Sequence, residues 1–150
     1  MIECPTCNVQ EQYVLEQLHS KAGIKDKTAL AVIMGNIKQE SGFRPKVCEG
    51  GAILPYDRCL RGGYGLIQWT SSNRYYGLGR FCQKHKCNPS SLAGQVSYML
   101  NEYQFQKMLA NFQRPFQTVQ FYMNSAYRWL GWGVKGPREQ FAYNYLRKFK

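Results

Sequence analysis

From Phe43 to Thr70 the chain carries no helical repeat, while amphipathic stretches precede and follow it. Gly50, Gly51, Pro55, Gly62, Gly63 and Gly65 punctuate this segment; glycine takes positive φ without strain and proline fixes its own φ, so such residues mark turns. A chain of this plan is confined to helices gathered round one irregular middle. Ahead of the segment, Tyr13, Val14, Leu15 and Leu18 predict a helix over Gln10 to Lys21, with Gly23 as its stop. Asp26 can cap a second helix, whose Leu30, Ile33, Met34 and Ile37 recur at three and four and which ends at Gly42 with Pro45 beyond. Behind the segment, helices are expected over Ser72 to Lys86, Ser91 to Gln104, Phe116 to Trp129 and Pro137 to Phe149, the last with proline in its favoured first turn. Inside it, "YGLIQWT" alternates enough for a short strand or hairpin arm. The expected class is mainly α with a small β-hairpin.

At 150 residues the chain fits one domain, 1–150, large enough to bury a core without crosslinks. No apolar run reaches the roughly 18 residues a membrane span requires. The opening lacks the basic-then-apolar layout of a secretory signal, so export would need another route or an earlier cleavage. A net charge of +11 favours polyanions: nucleic acid, anionic membrane or acidic wall polymer. The bases are scattered, with only "RKFK" locally dense, and no RRM-like, zinc-finger or helix-turn-helix signature accompanies them. Nucleic acid is therefore not an expected partner. Six cysteines fall in three close pairs, Cys4 and Cys7, Cys48 and Cys59, Cys82 and Cys87. Disulfides, buried thiols and a zinc site drawing on Cys-Pro-Thr-Cys or on Cys82, His85 and Cys87 all stay open, because spacing does not fix connectivity. The residues call for no cofactor, and no metal is assigned.

The stretch "GNIKQESGFRP", Gly35 to Pro45, places an acid where a helix should be apolar. At 100° per residue, Ile37 lies about 40° from Ile33 and Glu40 about 20° to the other side, so the three share a face. A carboxylate at a helix C-terminus meets an unfavourable dipole, and apolar surroundings disfavour its charge further. Glu40 is thereby expected to hold a proton near neutral pH and to act as a general acid. Beyond it comes "GGYGLIQWT", Gly62 to Thr70, with glycines beside aromatics and Gln68 next to Trp69. Glycine lets a backbone approach a ligand, Tyr and Trp faces stack on sugar rings, and Gln both donates and accepts. Such a wall suits a hydroxyl-rich polymer.

Together, "ESGFRP" and "GYGLIQWT" resemble the Glu-Ser and Gly-Leu-Met-Gln signatures of soluble lytic transglycosylases and goose-type lysozymes, within the lysozyme-like superfamily. The resemblance is closest to the phage tail lysozyme family, with Arg74 after Thr70, and with "QVSYMLNE" (Gln95 to Glu102) and "PREQFAYNYL" (Pro137 to Leu146) following in the family's order. It covers roughly Asp26 to the C-terminus and leaves residues 1–22 outside the clearest match. The resemblance implies a lysozyme-like fold that cleaves the β-1,4 bond between N-acetylmuramic acid and N-acetylglucosamine in peptidoglycan. Carried over, Glu40 is the catalytic acid, Ser41 helps hold it, and Tyr64, Gly65, Leu66, Ile67 and Gln68 form the sugar wall with Trp69 and Thr70; Asn144 matches the Asn of the transglycosylase "AYN" motif. The setting implied is a phage virion, at the tail or its ejected tip, with glycan strands and other tail proteins as partners.

Glycoside hydrolysis usually needs a second carboxylate. Glu49 and Asp57 lie between the two motifs and are the candidates, whereas Thr70 stands where goose-type enzymes often carry an acid. Lytic transglycosylases manage with one acid and use the muramyl 6-hydroxyl as nucleophile. A tail module that binds wall without cleaving it is the competing reading from another class.

Overall fold

The computed structural model describes residues 2–150, and among these it contains seven α-helices and one short 3-10 turn. The helices are α1 (Val9–Ser20), α2 (Lys27–Ser41), α3 (Ser72–His85), α4 (Leu92–Asn101), α5 (Tyr103–Gln113), α6 (Val119–Leu130) and α7 (Arg138–Lys148); the 3-10 turn is Tyr56–Arg58. The chain divides into two compact units, one of residues 1–39 with 102–150, the other of residues 40–101. Each is described by itself.

In the first unit α1 and α2 form within a residue of where they are expected, and α1 adds a cap the sequence reading did not name. Asn8 accepts from the Glu11 N–H at 2.8 Å while Glu11 accepts from the Asn8 N–H at 2.9 Å, a reciprocal pair that satisfies two otherwise orphan donors. Asp26 caps α2 through the N–H groups of Thr28 (2.8 Å) and Ala29 (3.2 Å). Leu30, Ile33, Met34 and Ile37 are fully buried, each stabilising the fold by about 1.5–3 kcal/mol relative to exposure. Gly35 is where α2 meets α7: a Cβ there would lie 2.7 Å from the Ala142 nitrogen and 2.9 Å from the Arg138 carbonyl oxygen. Beside that contact Arg138 donates to Asn36 Oδ1 at 3.2 Å and sits over the Trp132 ring at 4.5 Å. Between α5 and α6, the rings of Phe105, Phe112 and Trp129 pack with centroids 5.2–6.1 Å apart.

Two helix boundaries and the expected hairpin differ from expectation. The helix expected over Ser91 to Gln104 ends at Asn101, because Glu102 is extended (φ −65°, ψ 146°) and starts α5. The new helix buries Phe105, Met108 and Phe112, a three-and-four repeat of its own. The helix expected from Phe116 starts at Val119 instead: Thr118 caps it, and Phe116 sits at φ +61° with its N–H donated to Asp26 Oδ2 at 2.9 Å. The hairpin expected in the second unit is not formed as strands. Among the described residues there are isolated antiparallel bridges, Val47 with Ile53, Cys48 with Tyr64, and Tyr64 with Trp69. Positive φ at Gly62, Gly65 and Gln68 turns the chain too tightly for a ladder to propagate.

Candidate active site

The second unit begins with the last residues of α2. Glu40 is half-buried there, and Ser41 after it is buried. The helix stops because Gly42 and Phe43 both take left-handed φ, +62° and +63°. Phe43 holds that conformation with its ring buried and its N–H donated to Ser41 Oγ at 3.2 Å. The same hydroxyl donates to the carbonyl of Leu66 at 2.6 Å. Ser41 is thus the join between the acid's helix and the loop that carries the second motif.

That loop is pinned from its other side as well. The Leu66 N–H donates to Gln95 Oε1 at 2.8 Å, and Gln95 Nε2 donates to the carbonyls of Pro45 (2.7 Å) and Pro89 (2.9 Å). Gln95 is fully buried on α4, and the sequence reading gave it no role. Its signal was available: with Tyr98 and Met99 at three and four, a polar residue occupies an apolar face. Gly65 is required for this bracket, since φ is +81° and a Cβ would come within 2.6 Å of Gln95 Oε1. Tyr64 and Trp69 close the turn by exchanging backbone bonds of 2.9 and 3.2 Å.

The expected wall needs correction in its aromatic part. Tyr64 and Trp69 are fully buried, as are Leu66 and, to within 3% exposure, Ile67, so none of these side chains offers a face to a sugar. The Tyr64 hydroxyl donates to the Leu54 carbonyl at 2.9 Å, and burial pushes its pKa up. Trp69 packs against Tyr98 at 5.3 Å between ring centres. A core of this size wants its large rings inside, and alternation alone does not say which face is wet. Gln68 is half-buried and left-handed (φ +54°); its amide nitrogen donates to the carbonyls of Val47 (3.1 Å) and Gly65 (2.9 Å), so it braces the loop while its amide oxygen is not used there. Thr70 is exposed, its hydroxyl donating to the Gln68 carbonyl at 2.9 Å.

The two candidate second acids differ in how they are held. Glu49 Oε1 accepts from the Gly63 N–H at 3.1 Å, and a Cβ on Gly62 would lie 2.7 Å from Glu49 Cδ and 2.9 Å from its Oε1, which puts this carboxylate against the motif loop. Asp57, exposed on the 3-10 turn, instead lines a pocket of about 270 Å³ shared with Tyr56, Arg61, Thr70, Tyr75 and Tyr76. Tyr75 stacks on Tyr56 at 4.5 Å, and burial, with neighbouring tyrosines and Asp57, pushes its pKa up to about 12. Asn144 belongs to the other unit, on α7, where its Oδ1 accepts from Gln140 at 3.1 Å and from Arg147.

A family model described as phage tail lysozyme matches residues 9–132. The chain belongs to the phage tail lysozyme family. Neither a curated protein nor a solved structure matches it. The matched span takes in α1, which lies outside the clearest motif resemblance, and stops before α7, so Asn144 lies outside it. Membership gives a lysozyme-like, cell-wall-directed protein with peptidoglycan as its substrate class. All six cysteines of the chain are paired, Cys4–Cys7, Cys48–Cys59 and Cys82–Cys87, which leaves no thiolate for a zinc ion. Among the described residues no helix is long and apolar enough to cross a membrane.

Proposed function

We propose that this phage tail lysozyme hydrolyses the β-1,4 bond between N-acetylmuramic acid and N-acetylglucosamine, with Glu40 as general acid. The observation that carries the reading is the Ser41 bond: the residue after Glu40 donates at 2.6 Å to Leu66, inside the glycine-rich loop. Two motifs 25 residues apart are thereby fixed to each other through one hydroxyl. Glu40 protonates the glycosidic oxygen as the C1–O bond breaks, and the developing oxocarbenium ion is met by water from the opposite face. Glu49 is the acceptor for that water's proton, its carboxylate held to the motif loop by the Gly63 N–H. Gln68 and Thr70 supply amide and hydroxyl contacts to the glycan, while Ser41, Tyr64, Trp69 and Gly65, whose N–H and carbonyl are bonded within the loop, hold the stretch that presents them.

The setting proposed is the virion, at the tail or ejected tip, among other tail proteins. A net charge of +11 then raises the encounter rate with wall phosphates and peptide carboxylates, an attraction that falls with salt.

The test is wall clearing by wild type beside Glu40→Gln and Glu49→Gln, with mass analysis of the released muropeptides. Both substitutions are expected to lower clearing by about 10²-fold or more, since a positioned acid or base contributes about 10²–10⁴. Reducing ends are expected. Anhydromuramyl ends would replace the water step with attack by the muramyl 6-hydroxyl, and wild-type inactivity with retained wall binding would leave a binding module.

A further inference from the structure

Resting on the reading of this chain as a wall-cleaving enzyme, we infer that the pocket between Asp57, Arg61 and the Tyr56–Tyr75–Tyr76 cluster is a subsite for the peptide stem of peptidoglycan, not for its sugars. Its volume, about 270 Å³, is just under the roughly 300 Å³ at which small-ligand sites begin, so it suits a short segment of chain.

The walls are rigid. Tyr56 donates through its hydroxyl to the Tyr75 carbonyl at 2.7 Å, the Tyr75 hydroxyl donates back to the Tyr56 carbonyl, and the Tyr56 N–H is held by Ser90 Oγ at 2.7 Å. Gly79 makes this possible, because a Cβ there would lie 2.6 Å from the Tyr56 hydroxyl. The Cys48–Cys59 disulfide fixes the strip of loop from which Asp57 and Arg61 project. Tyr76 leans edge-on to Tyr75 at 5.3 Å and remains 58% exposed.

Charge decides the ligand. Among the described residues neither the Asp57 carboxylate nor the Arg61 guanidinium has a hydrogen-bond or ion-pair partner, although both line the same small pocket. A neutral sugar would take hydrogen bonds from these groups but would leave both charges without a counter-charge. A stem peptide carries both complements: a carboxylate suits the planar fork of Arg61, and the amine of its diamino acid suits Asp57. The tyrosine faces cover the intervening aliphatic chain. Such a subsite favours strands that still bear peptides over bare glycan of the same backbone.

The test uses the full chain carrying Glu40→Gln, so that nothing is turned over. Calorimetric titration compares the N-acetylglucosamine–N-acetylmuramic acid disaccharide bearing its tetrapeptide with the same disaccharide after the peptide has been removed. The peptide-bearing probe is expected to bind about tenfold tighter, and adding Arg61→Gln is expected to cut that preference below about threefold while leaving the bare disaccharide unaffected. Equal affinity for the two probes, no binding of either, or a preference that survives Arg61→Gln overturns the subsite. Wall clearing by the wild type is read separately. Clearing without peptide preference removes the subsite alone, and preference without clearing removes the catalytic reading alone.

Discussion

Gln95→Leu is the substitution that asks most of the structure, since it removes one buried side chain holding three backbone groups together. The Leu66 N–H, in a fully buried residue, loses its acceptor at 2.8 Å, and an unsatisfied buried donor costs about 1–3 kcal/mol. The carbonyls of Pro45 and Pro89 lose donors at 2.7 and 2.9 Å; both residues are half-buried and can find water, so about 0.5–1.5 kcal/mol each is appropriate. The sum is about 2–6 kcal/mol, a large part of the 5–15 kcal/mol typical of a domain. Ser41→Ala removes the other pin, the donor to the Leu66 carbonyl. Because both side chains grip one residue, the double variant should be non-additive by about 0.5–3 kcal/mol. Urea unfolding followed by tryptophan fluorescence measures all three, and wall clearing should fall with both single substitutions as Leu66 shifts. A loss under about 1 kcal/mol for Gln95→Leu, or strict additivity with Ser41→Ala, would refute the claim that this bracket sets the loop.

Replacing both Cys48 and Cys59 with serine should lower stability by about 2–3 kcal/mol, because the bridge closes a short loop at sequence separation 11, and urea midpoints report it. Wild type in dithiothreitol, which opens all three bridges, should lose at least as much, and an unchanged midpoint in the double variant would show the Cys48–Cys59 bridge constrains nothing. Tyr75 titrates at about 12 when folded and near 10 when unfolded, so above pH 10 the unfolded chain gives up the proton first. Its contribution to stability is therefore complete below pH 10 and is lost as pH rises towards 12, and absorbance at 295 nm of wild type minus Tyr75→Phe should show that late titration. Gly35→Ala should destabilise by about 1–3 kcal/mol despite its better helix propensity, since its Cβ would strike the Ala142 and Arg138 backbone at 2.7 and 2.9 Å; a higher melting temperature would show that α7 shifts without cost.

How much of this was legible depended on whether the deciding contact was local. The α2 helix announced itself because Leu30, Ile33, Met34 and Ile37 recur at three and four, Asp26 caps it within three residues, and Glu40 keeps the same phase, although the helix is buried all round from Ala29 to Ile37. The Glu-Ser and Gly-Leu-Ile-Gln motifs pointed to the family that the match over residues 9–132 gives. Sequence could not say that Ser41 reaches Leu66, or that Gln95 reaches it from 29 positions away, because loop closure brings them together and no period encodes it. The same blindness put the Tyr64 and Trp69 rings on a sugar-facing wall when the core takes them both. At Glu102 the reading ran one helix through a break that only an extended ψ of 146° discloses, although Phe105, Met108 and Phe112 already carried the next repeat.

The left-handed residues of the second unit argue that this loop is shaped for more than stability. Gly42, Phe43, Gly65 and Gln68 all take positive φ within the two stretches that Ser41 joins. For the glycines this is nearly free, but for Phe43 and Gln68 it costs about 1–2 kcal/mol each. Such strain persists only where surroundings over-determine it. Here they do: Phe43 is buried and bonded to Ser41 Oγ, and Gln68 spends its amide protons on Val47 and Gly65. Burial of its ring accounts for Phe43, but a loop whose only task was to connect α2 to α3 would have no need to hold the half-buried Gln68 in that conformation. Holding it bent instead fixes where the Gln68 amide oxygen and the Thr70 hydroxyl face relative to the end of α2, which is the condition a glycan would need if Glu40 is to meet its bridging oxygen at the right distance.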